Sequence, residues 1–83
     1  KDQLFLEGGT DTVVLRAGDG ADEIFGFDLG QTTLGLSDGL QFSDLTFTQG
    51  DGFSSIFKGR KLLATVDGIT ADSLNSESSF AVL

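Results

Sequence analysis

The stretch Ala17-Gly18-Asp19-Gly20-Ala21-Asp22-Glu23-Ile24-Phe25 decides the fold. It fits the nonapeptide G-G-x-G-x-D-x-U-x, with U apolar, at every fixed position but the first, where Ala17 replaces glycine. That nonapeptide builds calcium-binding parallel β-helices. The pattern has a chemical reason. Glycines take positive φ and turn backbone carbonyls toward a common centre. Ca2+ is a hard cation that takes six to eight oxygens, which carbonyls and carboxylates supply. In this reading Asp22 closes the site and begins a strand, and Ile24 points into the core.

A single Gly-Asp-Gly is weak evidence. Asp-Gly recurs at 38–39, 51–52 and 67–68, where it reads as an ordinary hairpin turn. The register around Asp22 says more. Asp2-Gln3-Leu4-Phe5-Leu6 and Asp11-Thr12-Val13-Val14-Leu15 lie nine residues apart, and Asp22-Glu23-Ile24-Phe25 follows eleven residues later. All three read Asp-x-apolar-x. Turn, Asp and short apolar strand, repeated three times, predict a coil of parallel strands rather than unrelated β-turns.

The chain resembles the end of an RTX (haemolysin-type) calcium-binding region, together with the segment that follows the last repeats. The run Val13-Val14-Leu15-Arg16-Ala17-Gly18-Asp19-Gly20-Ala21-Asp22-Glu23-Ile24-Phe25-Gly26-Phe27-Asp28 carries most of the likeness. Leu34-Gly35-Leu36-Ser37, Gly39-Leu40-Gln41-Phe42-Ser43-Asp44-Leu45-Thr46 and Leu63-Ala64-Thr65-Val66-Asp67-Gly68-Ile69 are similar to the tails of bacterial, notably cyanobacterial-type, RTX proteins. The resemblance implies Ca2+ held by Gly18, Asp19, Gly20 and Asp22, with Asp2 and Asp11 as further ligands. It also implies that a calcium sits between turns on the same side, two repeats apart. Asp2 and Asp22 are then candidates to share a side. The chain departs from the pattern in two places. In the loop Leu6-Glu7-Gly8-Gly9-Thr10 only Gly9 falls on a motif glycine, and Asp2 has no loop before it. One good calcium site at most is therefore expected.

Composition narrows the alternatives. Eighty-three residues make one domain, 1–83, with a modest core that is marginal without metal, disulfides or partners. Cysteine and histidine are both absent, which removes disulfides and the soft ligands of zinc or copper. A hard metal is left. The net charge of −8 disfavours duplex nucleic acid and anionic membranes, which need a basic patch. No apolar run approaches the length of a membrane span. There is no initiator Met and no signal peptide, and Lys1 falls inside a repeat. The expectation is a processed product, an excised domain or an incompletely identified sequence.

The absence of proline, twelve glycines and short runs of Phe, Val, Ile, Leu and Thr predict an all-β chain. The expected architecture is a short parallel β-roll (RTX-like) coil over 1–27, a connection over 28–44, and an antiparallel β tail over 45–83. Leu4, Val13 and Ile24 are expected to stack as one inward ladder, with Leu6 and Leu15 on the same face. Phe5, Val14 and Phe25 lie opposite and need cover from the rest of the chain. The connection has one strand near Thr33–Leu36. Leu45–Thr48, Phe53–Lys58 and Lys61–Val66 read as a meander turning at Gln49-Gly50-Asp51-Gly52 and Lys58-Gly59-Arg60-Lys61. That second turn holds three of the five basic residues and reads as an exposed polar turn. One helical turn, capped by Thr70 or Asp72, is expected within Thr70–Ser79, and Phe80–Leu83 as a last strand.

Catalytic chemistry is hard to assemble here. There is no His, Cys or Tyr to serve as a base for Ser54, Ser55, Ser73, Ser76, Ser78 or Ser79. Asp19 and Asp22 pair carboxylates, but so small a chain has little room for a glycosidase cleft. No phosphate-binding Gly-x-x-x-x-Gly-Lys occurs. The chain is expected not to be an enzyme. Three functional readings remain: a calcium-stabilised, self-associating extracellular structural protein, forming a homo-oligomer or filament; a folding and type I secretion module at the end of a larger exoprotein; and a surface- or carbohydrate-binding domain. The last is weakest, because Trp and Tyr are absent. The resemblance places the protein outside the cell or at its surface.

Overall fold

Glycine turns cut this chain into short apolar runs that favour strands, and eight strands form among the described residues. The computed structural model describes residues 3–6, 9–16 and 20–83. The strands are β1 (Gln3–Phe5), β2 (Asp11–Leu15), β3 (Asp22–Phe25), β4 (Thr32–Leu36), β5 (Leu45–Gln49), β6 (Phe53–Lys58), β7 (Lys61–Asp67) and β8 (Phe80–Val82). One short helix, α1 (Ala71–Leu74), precedes β8. Thr70 caps it, its hydroxyl accepting from the Ser73 N–H at 3.2 Å.

The strands divide between two sheets. One has the order β1-β3-β7-β6-β5 and the other β2-β4-β8. Successive strands from β1 to β4 therefore alternate between sheets. Within each sheet the next strand pairs in parallel: Leu4 faces Ile24, and Val13 faces Leu34. The path returns to the same sheet every 20 or 21 residues, as the partners Gln3 and Glu23, and Asp11 and Thr32, record.

The antiparallel meander forms over β5, β6 and β7, with Phe47 facing Ile56 and Ser54 facing Val66. Only this part of the tail is antiparallel. β7 also pairs in parallel with β3, and β8 pairs in parallel with β4. The 28–44 segment likewise supplies the central strand of the three-stranded sheet.

The inner faces share one core. Val13, Leu15, Leu34 and Leu36 come from the smaller sheet, and Ile24, Ile56, Leu63, Ala64 and Val66 from the larger; Leu40 and Leu74 fill in between. The expected ladder of Leu4, Val13 and Ile24 is thus corrected. All three point inward, but Leu4 and Ile24 line up with Val66, while Val13 lines up with Leu34 and Phe80. Alternation of period two tells inside from outside and leaves open which sheet a strand joins.

The outer face is also less covered than expected. Phe5 is 70% exposed and Val14 37%. Phe5 instead stacks on Phe25, with ring centroids 4.8 Å apart and planes 12° from parallel. At the other end of the core, Phe42, Phe47 and Phe80 meet at 5.3–6.0 Å and tie β5 to β8. Ser54 is fully buried on β6, and its hydroxyl donates to the Ile69 carbonyl at 2.6 Å. The hydroxyl is therefore satisfied, as a buried polar group must be.

Gly26 and Gly39 separate two costs of replacing glycine. Both have positive φ, +85° and +82°. A Cβ at Gly39 meets nothing, whereas one at Gly26 strikes the Leu6 carbonyl. Gly39→Ala should cost about 1–2 kcal/mol, the price of a left-handed residue. Gly26→Ala should cost clearly more. Thermal melting reads the difference at about 4–8 °C per kcal/mol. Equal losses in the two variants would contradict the close packing of Leu6 on Gly26.

Candidate functional site

Three of the sequence-predicted ligands, Asp2, Gly18 and Asp19, lie outside the described residues. The other three have clear positions. Asp22 is the first residue of β3 and half-buried. Gly20, two residues before it, has φ +79° and is exposed. Asp11 is the first residue of β2, also half-buried, and its backbone N–H donates to the Gln31 carbonyl at 3.3 Å. Asp11 and Asp22 begin strands of different sheets, so the alternation does not bring them to one sheet edge. Among the described residues no three acidic side chains come close enough to hold a metal.

The turns themselves repeat more regularly than the carboxylates do. Gly9, Gly20 and Gly30 each stand two residues before a strand, with φ of +103°, +79° and +91°. Each opens the same unit: Gly9-Thr10-Asp11-Thr12-Val13, Gly20-Ala21-Asp22-Glu23-Ile24 and Gly30-Gln31-Thr32-Thr33-Leu34. The register confirms the third, because Thr32 is the partner of Asp11. Sequence reasoning missed this turn because it required Asp where Thr32 stands. The signal was there in the spacing of glycine to apolar residue.

Thr32 shows how a turn of this kind is closed by protein atoms alone. It is 3% exposed. Its hydroxyl accepts from the Asp28 N–H at 3.1 Å, while the N–H groups of Gln31 and Thr32 both donate to the Asp28 carbonyl at 2.8 Å. A threonine hydroxyl can satisfy one neighbouring N–H; a carboxylate in the same place can also bind a cation.

A second feature was not legible as a site. The outer face of the larger sheet has a cleft of about 170 Å3 lined by Glu23, Ile24, Phe25, Phe53, Thr65 and Asp67. Phe53 and Asp67 are register partners on β6 and β7. The Phe53 ring lies against Gly50, where any Cβ would displace it. On the far side, Glu23 accepts a hydrogen bond from the Gln3 amide at 3.2 Å.

Compared with known proteins, the chain matches no protein-family model, no curated protein and no solved structure.

The two kinds of turn predict two kinds of mutational response. Thr32→Val leaves the Asp28 N–H without its acceptor and should cost about 1–3 kcal/mol, equally in calcium and in chelator. Asp22→Ala should remove a stabilisation that exists only in calcium, about 2.7 kcal/mol at 100 times Kd. Thermal melts of the three proteins in millimolar calcium and in chelator check both. Identical melting of the unmutated protein in the two buffers would remove the metal assignment.

Proposed function

We propose that this chain is a non-enzymatic, calcium-stabilised extracellular β module of the RTX type that associates with itself through the open end of its coil. One observation carries the reading. A glycine turn with positive φ leads into a strand three times over, and the strands pass alternately to two sheets that pair in parallel. A path of this kind extends by adding turns. At its first turn, β1 and β2 are each paired on one side only among the described residues. Unpaired strand edges are ready templates for another chain. The sheets end at the other side in β5 and β8, where the Phe42, Phe47 and Phe80 rings close the core behind them.

In this reading calcium occupies the turn before β3, with Gly18, Asp19, Gly20 and Asp22 as ligands and Asp2 or Asp11 completing the set. The role is structural. Binding only the folded form raises the stability of a domain whose own core is small. The open end equally suits a second reading, in which the module closes a longer coil of a larger, type I-secreted exoprotein. Intact mass of the native protein separates the two, since only the second requires a longer chain.

Val14 lies on the outer face of edge strand β2, so a lysine there should block pairing without touching the core. Sedimentation in millimolar calcium should show assemblies larger than the 8.7 kDa chain, and Val14→Lys should reduce them. A single 8.7 kDa species at high concentration in calcium would contradict self-association.

A further inference from the structure

The cleft on the outer face of the larger sheet has a composition suited to one kind of guest. Phe25 and Phe53 are both half-buried, so part of each ring faces solvent; Asp67 stands on the strand between them and Glu23 lies two residues before Phe25 on β3. Rings attract organic cations through their faces, and carboxylates attract them by charge. Two carboxylates are too few oxygens for Ca2+, which takes six to eight. At about 170 Å3 the cleft holds a single side chain. It is too small for a drug-sized ligand, whose pockets run to roughly 300–1,000 Å3. A lysine or arginine side chain meets every one of these constraints.

This chain carries such a group in a fixed place. Lys58, Arg60 and Lys61 are all exposed around Gly59, at the turn joining β6 to β7. They are three of only five basic residues in a chain of net charge −8. The same two strands carry both features at opposite ends: Lys58 pairs with Lys61 at one, and Phe53 with Asp67 at the other. Five residues of strand separate the ends, roughly 17 Å at about 3.3 Å per residue. The turn therefore cannot fold back into its own cleft.

We propose that the cleft between Phe25 and Phe53 receives the Lys58–Lys61 turn of a second copy of this chain. The contact joins two different surfaces of identical subunits, so it is head-to-tail and repeats until it closes into a ring or runs on as a filament. It rests on the self-association reading above and names a side-chain contact for it, distinct from the β1 and β2 edges.

The test uses two charge reversals at exposed positions, with circular dichroism to establish that both proteins fold. Arg60→Glu with Lys61→Glu removes the guest and keeps the cleft; Asp67→Lys spoils the cleft and keeps the guest. Measured by sedimentation in calcium, each variant alone should associate about tenfold more weakly or worse, and added salt should weaken the unmutated protein in the same direction. Mixed, the two variants should recover one contact, the basic turn of the Asp67→Lys protein in the intact cleft of the other, and associate more tightly than either does alone. Assembly that survives both reversals but is lost in Val14→Lys would overturn the cleft contact and leave edge pairing standing. An unmutated protein that is monomeric throughout would overturn both.

Discussion

The parallel pairing of β3 with β7 is the contact on which the rest depends. Ile24 and Val66 face each other there, and both are fully buried. Through this pair β1 and β3 join the meander in one five-stranded sheet. Separated, neither part has much to bury: a lone hairpin is marginal in water, and two or three strands need a covered face to persist. Joined, they enclose the inner face that β2, β4 and β8 cover from the other side. The pairing also closes a long loop, since Ile24 and Val66 are 42 residues apart in sequence (66 − 24). Such contacts form late and reward the chain only after the loop is closed. Added stability at the turn before β3, where the calcium ligands are proposed, would therefore act on the strand that makes the long-range contact.

Much of this architecture is legible in the residues. The meander strands begin where alternation begins and end at Gly50, Gly52 and Gly59, because a glycine with room to turn and a period of two are both local properties. The single helical turn is legible for the same reason: Thr70 is a local cap. Sheet membership is not local. Leu4, Val13 and Ile24 look alike in sequence, and all three do point inward. What separates Val13 from the other two is that each turn carries the chain across to the opposite sheet.

The site is legible only in part, for a physical reason. A motif defined by ligands finds Asp11 and Asp22 and passes over Thr32, although the backbone does the same thing at all three turns. The conformation belongs to the glycine, and at the third turn the side chain two residues later, Thr32, closes the loop with its hydroxyl. The acidic, aromatic cleft is further from reach. Phe25, Phe53, Glu23 and Asp67 are scattered along the chain and meet only because β3 lies beside β7 and β7 beside β6.

The most direct measurement is a nuclear Overhauser map of the labelled protein in solution. The structure requires backbone contacts in parallel register between Asp22 and Ala64 and between Ile24 and Val66, and in the other sheet between Leu34 and Phe80. Finding all three would establish that the tail pairs with the first four strands. A map in which residues 45–67 contact only one another and Phe80–Val82 contacts no strand would contradict the account at its root.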